Sequence, residues 1–461
     1  MTNQNNTVKI TNYSQALKSL YQLRLFGTKL GLNNIRRLLE LLNNPHAGLV
    51  FYHIAGTNGK GSVAAVLQAL LRTTHQRVGL FTSPHLEDFR ERIRINDRLI
   101  TRRETMTVLE EIRPLLSRVE GSPGCSHPTY FEVVTALACR YFHKMKAEAV
   151  VWEVGLGGRL DATNVIRPRI TIITNIDLEH QQYLGKSIDK IAREKGGVIK
   201  ESIPLVTAVT RPRALDCLKK ICLERNAPLI EVNSLYRSTV KERSVKGQVI
   251  TIQGPRRLYR DLFLPLPGEH QTTNCETAIA AWEEGDPRAG RVNISRIRET
   301  LRGVAWPGRF EFIAGPPDLI LDGAHNRAGA LVCARALRAV SGNRPVILIL
   351  GVLADKNATA ICRPLVPLAR KIITVQPEGE RGLSSSALAR VCRDLSGSKK
   401  IPVLARKSLE SAIRYCYRIC LPDRPGKKLS SPLICITGSL RLIGEARSIL
   451  KKGIERRRSN I

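Results

Sequence analysis

Over most of the chain, short apolar runs alternate with longer stretches in which apolar residues recur every three or four positions. The first pattern fits a strand buried on both faces, and the second an amphipathic helix. Strands are predicted at Phe51–Ala55, Val78–Phe81, Ala149–Val154, Ile170–Thr174, Leu319–Leu321, Val346–Leu350, Ile372–Val375 and Leu433–Thr437. Helices are predicted at Lys60–Arg72, Tyr130–Lys144, Ile188–Ile199, Gln271–Ala281, Ala328–Val340 and Leu440–Leu450. Such alternation predicts an α/β fold with mainly parallel sheets. Val240–Leu264 reads differently, because its period-two alternation and Gly/Pro punctuation predict a small β excursion. At Trp306-Pro307-Gly308 the pattern breaks after a helical segment ending near Gly303, and then restarts. Two domains are therefore predicted, 1–305 (including the excursion) and 306–461.

Length agrees, since 461 residues are more than one ordinary core holds. No apolar run approaches the ~18 residues of a membrane helix, and the polar start Met1–Asn6 has no signal-peptide core behind it. A cytoplasmic protein with no membrane partner is expected. The 11 cysteines include no C-x-x-C pair, which points to reduced core thiols rather than zinc. The net charge of +33 raises the question of nucleic acid. The basic residues are spread along the chain, however, and no aromatic-interleaved basic stripe appears among aromatics that make up only 5%. No nucleic-acid partner is expected. The charge reads as a solvated surface, or as a field that attracts polyanions such as nucleotides or polyglutamates.

The sharpest local signal is Ala55-Gly56-Thr57-Asn58-Gly59-Lys60-Gly61-Ser62, which follows a predicted strand and opens a predicted helix. Glycines allow close approach of the backbone to phosphate oxygens, and a helix N-terminus favours the anion. Lys60 is expected to reach the β- and γ-phosphates, with Ser62 close to Mg²⁺. The spacing departs from G-x-x-x-x-G-K-[ST], because Gly61 separates Lys60 from Ser62. Three more strands end in polar groups: Glu153 ahead of Gly155–Asn164, Asn175–His180, and Thr82-Ser83-Pro84-His85. In open α/β sheets ligands bind at carboxyl strand ends, and a carboxylate there suits Mg²⁺, which takes oxygen ligands. His180 reads as a ligand or a base. Lys195, late in a helix, reads as a solvated or end-capping charge.

Together these residues resemble the folylpolyglutamate synthase/dihydrofolate synthase family, a branch of the Mur ligases. The resemblance runs through nearly the whole chain. It includes Gly31-Leu32, Gly56–Ser62, Thr82–Leu86, Tyr130-Phe131-Glu132, Trp152–Asn164, Glu194-Lys195, Gly268–Gln271 with Asn274, Pro307–Glu311, Asp322–Asn326 and Gly438-Ser439. It implies a P-loop-containing, Mur-ligase-like domain with a mainly parallel sheet, and a smaller Rossmann-like C-terminal α/β domain. It further implies an ATP- and Mg²⁺-dependent ligase, acting as a monomer on small molecules. The ligase joins L-glutamate to dihydropteroate or to the γ-carboxylate of a reduced folate through an acyl phosphate.

The resemblance also implies roles. Gly59, Lys60, Gly61 and Ser62 hold the ATP phosphates, and Asn274, Arg309 and Asp322 complete the ATP site. Ser83, Glu153 and His180 bind Mg²⁺, and a carbamoylated Lys195 holds a second ion. His325 lies near the glutamate or the transferred phosphoryl group. Gly31, Tyr130, Phe131, Gly157, Gly158 and Arg159 line the pterin site. Arg327, Asn357 and Glu179 stand where the family commonly has Pro, Asp and Asp. Two other readings are open. A cell-wall Mur ligase usually carries a separate N-terminal domain, for which a loop beginning at residue 56 leaves no room. A basic nucleic-acid-stimulated ATPase would bind with steep salt dependence.

Overall fold

The computed structural model describes residues 12–27, 31–379, 381–420 and 432–458, with side chains described as far as Lys452 at the C-terminal end. The Met1–Asn6 reading lies outside these residues. The largest sheet has eight strands: β1 (Phe51–Ala55), β2 (Val78–Phe81), β3 (Ile93–Ile95), β4 (Arg98–Leu99), β5 (Ala149–Glu153), β6 (Ile170–Ile173), β7 (Leu205–Thr207) and β8 (Leu229–Glu231). Their order is β4-β3-β2-β5-β1-β6-β7-β8. The β2–β3 and β3–β4 pairings are antiparallel and the others parallel. β2, β5, β1 and β6 are parallel neighbours, so their carboxyl ends share one edge of the sheet. The four polar segments singled out from the sequence follow these strands.

β1, β2, β5 and β6 are buried at every position, as their unbroken apolar runs predict for a sheet covered on both faces. Trp152 is packed between Phe51 and Phe81, with ring centroids 5.2 and 4.4 Å away. Burying each such ring is worth roughly 1.5–3 kcal/mol relative to leaving it exposed. Helix Tyr130–Lys144 covers this face and starts at a capping box in which Thr129 and Glu132 satisfy each other's backbone N–H.

A second sheet is antiparallel, ordered β11-β10-β9, from β9 (Arg237–Ser244), β10 (Gly247–Gln253) and β11 (Leu258–Leu264). It is the excursion expected at 240–264. A third sheet contains β12 (Glu311–Ile313), β13 (Asp318–Asp322), β14 (Val346–Leu350), β15 (Ala369–Thr374), β16 (Val403–Ala405) and β17 (Leu433–Thr437), ordered β12-β13-β17-β14-β15-β16. All its pairings are parallel except β12–β13. Apolar clusters cover both of its faces, one centred on Leu348 and Cys435, the other on Ile349 and Ile434.

By contacts the chain divides into Met1–His85, Phe89–Leu235 and Thr277–Asn293 on one side, and Leu86–Asp88, Tyr236–Glu276 and Ile294–Ile461 on the other. The antiparallel sheet, expected in the first domain, thus groups with the second unit. Helix Ile294–Arg302 goes with it, packing on β11, burying Ile297 and Leu301, with Arg298 Nε donating to Arg260 O at 2.8 Å. Gly268, after the sheet, faces Ala336 of helix Arg327–Ser341, where an added Cβ would meet the alanine methyl at 3.5 Å.

Candidate active site

In the first unit, the loop after β1 turns into helix Lys60–Leu71 through Gly59, whose φ of +84° is left-handed. At Gly56, with φ +144°, an added Cβ would lie 2.0 Å from Thr174 Oγ1, so only glycine fits. The segment after β6 braces the loop. Asn175 Oδ1 accepts from Asn58 N at 2.8 Å, Asn175 O accepts from Thr57 N at 3.0 Å, and Thr174 Oγ1 donates to Asn58 O at 2.6 Å. Thr57 Oγ1 accepts from Asp177 N at 3.1 Å. Ser62 is buried in the first turn of the helix. Lys60 Nζ folds back on its own loop, donating to Gly56 O at 2.9 Å and Thr57 O at 3.2 Å.

Lys195 overturns the reading of a solvated charge, for it is only 1% exposed. Its Nζ donates to Gly56 O at 2.9 Å and to Glu179 Oε1 at 3.0 Å. Burial pushes its pKa down to about 8, against the opposing pull of Glu179. Burial raises the Glu179 carboxyl, but Lys195 and Lys60 outweigh it and hold the group below its ordinary range. The sequence carried a signal for this burial. Lys195 follows Ile191 by four residues and Ala192 by three, so it lies on the buried stripe of its helix.

Glu153 closes β5, is buried, and its Oε2 accepts from Ser83 N at 2.8 Å. The carboxylate and the Ser83 residue are thereby held at adjacent strand ends. His180 has a left-handed backbone (φ +46°) and precedes helix Gln181–Leu184. Among the described residues no group of three or more His, Cys, Asp or Glu side chains gathers in metal-binding geometry. A buried carboxylate at a strand end still suits a hard cation that keeps part of its water shell.

Of the expected pterin-lining residues, Gly157, Gly158 and Arg159 belong to loop 155–164 and Phe131 packs against it. The Phe131 ring lies against Gly155, where an added Cβ would meet it at 2.4 Å. Arg24 and Arg92 sit 4.7 and 5.7 Å from the Tyr130 ring centroid. Arg92 Nε donates to His85 Nδ1 at 2.7 Å. Gly157 is left-handed (φ +70°), and a Cβ at Gly158 would meet the carbonyl oxygens of Glu194 and Lys195 at 2.8 and 2.9 Å. Arg159 is tied to Glu194, with Nη2 2.8 Å from Oε1. Gly31 adjoins residues 28–30, which lie outside the described set.

The second unit holds the remaining residues. Asp322 ends β13 and accepts from Phe310 N at 2.9 Å and Ala324 N at 3.0 Å. Burial raises its pKa, and Arg309 opposes the rise. A Cβ on Gly323 would fall 2.4 Å from an Arg309 guanidinium nitrogen. His325 Nδ1 lies 2.8 Å from Gly323 O. A carbonyl only accepts, so Nδ1 carries the proton and Nε2 is the basic nitrogen of the neutral ring. Asn274 Nδ2 donates to Gln271 Oε1 at 2.9 Å. Asn175 reads from the sequence only as part of a polar strand end and not as a brace of the loop, and Thr174 as a brace and the buried His53 go unnoticed there.

Known proteins resemble this chain over nearly its whole length. Residues 54–282 match the Mur ligase middle domain, and residues 308–439 the Mur ligase glutamate ligase domain. A dihydrofolate synthase/folylpolyglutamate synthase of Bacillus subtilis is 32% identical over 444 residues, covering 96% of this chain and 100% of its own length. The crystal structure of folylpolyglutamate synthase from Mycobacterium tuberculosis complexed with ADP and AMPPCP superposes with a TM-score of 0.84 at 33% identity, over 94% of this chain and 98% of that one. The Thermotoga maritima folylpolyglutamate synthase superposes with a TM-score of 0.80 at 32% identity, over 96% and 97%. Sheet order, phosphate loop and near-complete coverage lead to one assignment: this chain belongs to the folylpolyglutamate synthase/dihydrofolate synthase family of Mur ligases.

Proposed function

We propose that this protein is an ATP-dependent ligase that joins L-glutamate to dihydropteroate and to the γ-carboxylate of reduced folates. The observation that carries the reading is the set of parallel strand ends at which the Gly56–Ser62 loop, Glu153, Ser83 and Glu179 lie, with Lys195 reaching Gly56 and Glu179 from its helix. The matches to relatives with both synthase names support it. In this reading the enzyme works in the cytoplasm as a monomer. Its 11 free thiols suit a reducing compartment.

A carboxylate resists amine attack because oxide is a poor leaving group. Transfer of the ATP γ-phosphoryl group to the acceptor carboxylate makes phosphate the leaving group. Gly59, Gly61 and Ser62 bind the ATP phosphates, and Lys60 exchanges its bonds to Gly56 and Thr57 for phosphate oxygens. Ser83, Glu153 and His180, with Lys195 if carbamoylated, would hold Mg²⁺, which would supply neutralisation of phosphate charge. Asn274, Arg309 and Asp322 complete nucleotide binding. His325 Nε2 takes the proton that the glutamate amine loses as it attacks the acyl carbon.

Lys60→Ala tests the scheme. It is expected to abolish ligation with the circular-dichroism spectrum unchanged. Glutamate-dependent ADP formation by that variant would contradict the proposal.

A further inference from the structure

His53 lies in the middle of β1, paired with Trp152 on one side and Thr171 on the other, and it is fully buried. Its Nε2 is 3.0 Å from Thr163 Oγ1. That hydroxyl donates its single proton to Asp161 Oδ1, so it can only accept from the imidazole. His53 is therefore the Nε2–H tautomer, and its buried Nδ1 has no partner among the described residues. Asp161 in turn accepts from Thr163 N at 3.0 Å and from Leu156 N at 2.7 Å. The carboxylate thus clasps loop 155–164 at both ends, with Gly157, Gly158 and Arg159 between. Trp152 Nε1 donates to Thr163 O at 3.1 Å, which fixes the Thr163 backbone from the sheet side.

We propose that His53 is a positioning residue: its Nε2–H fixes the Thr163 hydroxyl toward Asp161 and thereby sets the conformation of loop 155–164. Without that donor the hydroxyl is held by Asp161 alone, and the clasp loses the side-chain bond that ties it to β1. The effect on a pterin acceptor rests on the function proposed above, whereas the effect on the loop does not.

Amide hydrogen exchange at Leu156 and Thr163 in the full-length chain tests the positioning. Exchange is expected to quicken roughly five- to tenfold in His53→Leu and Thr163→Val, the loss of about one hydrogen bond. His53→Gln, which can present a donor, and Thr163→Ser, which keeps the hydroxyl, are expected to stay close to the parent. Unchanged exchange in both His53→Leu and Thr163→Val overturns the proposal, as does a His53→Gln variant as fast as His53→Leu. In turnover, His53→Leu is expected to raise the acceptor KM by a similar factor with the ATP KM unmoved. A parallel rise in both constants overturns the link from loop to acceptor. If the parent protein shows no pterin-dependent turnover, the function fails, and the exchange rates still decide the role of His53.

Discussion

The Lys195 amine donates to the carbonyl oxygen of Gly56, a residue 139 positions away that opens the phosphate loop, at 2.9 Å. One buried cation thus ties helix Ile188–Gly196 to the Gly56–Ser62 loop. An amine with its pKa pushed to about 8 is also a better nucleophile toward carbon dioxide than an ordinary lysine. Lys195→Ala is expected to lower turnover by about 100-fold or more, the scale of losing one preorganised electrostatic group. If Lys195 acts as a carbamate, millimolar acetate is expected to restore part of it by standing in for that group. Steady-state ADP release measures both, and near-parental turnover without acetate would remove Lys195 from the mechanism.

Gly155 and Phe131 make a second checkable pair. An alanine methyl at 155 would lie 2.4 Å from the ring, so the ring or the loop must move. Gly155→Ala is expected to cost about 1–3 kcal/mol of stability, as overpacking does, and to raise the acceptor KM more than the ATP KM. Urea unfolding and initial-rate kinetics report the two effects.

Acid sensitivity follows from His53. Burial, then the Lys200 charge, push its pKa from the ordinary 6.5 to about 3. Between these values the unfolded chain binds a proton that the folded chain does not, so stability rises with pH and falls as pH drops from about 6.5. His270, pushed to about 4 by burial and then by Arg309, adds a contribution of the same sign. Urea unfolding between pH 7 and pH 5 is expected to show this loss, and His53→Gln should lose less than the parent protein. Equal pH slopes would contradict the neutral, buried imidazole.

His325 donates from Nδ1 to Gly323 O, which leaves Nε2 as its base. His325→Ala is expected to lower turnover at saturating glutamate by about 100-fold, within the range of general base catalysis. Near-full turnover would show that another group takes the amine proton.

Much of this was legible in the sequence because the central strands are buried on both faces. Phe51–Ala55, Val78–Phe81, Val346–Leu350 and Leu433–Thr437 match the structure residue for residue. The two- and three-residue strands β3, β4, β7, β8, β12 and β16 are too short to carry a period. His53 was hidden by the apolar run around it, since periodicity says where a residue lies and not which loop it holds. The Lys195–Glu179 pair joins positions 16 apart, and only the fold brings them together. Asp322, read as a nucleotide contact, also takes two backbone N–H groups, a role that no side-chain pattern announces.

The most direct test of the account is ADP release by the full-length protein, with dihydropteroate or tetrahydrofolate as acceptor, with and without L-glutamate. The account predicts release with either acceptor only when glutamate is present, with a glutamyl amide as the product. Silence with both acceptors, or release at the same rate without glutamate, would contradict it.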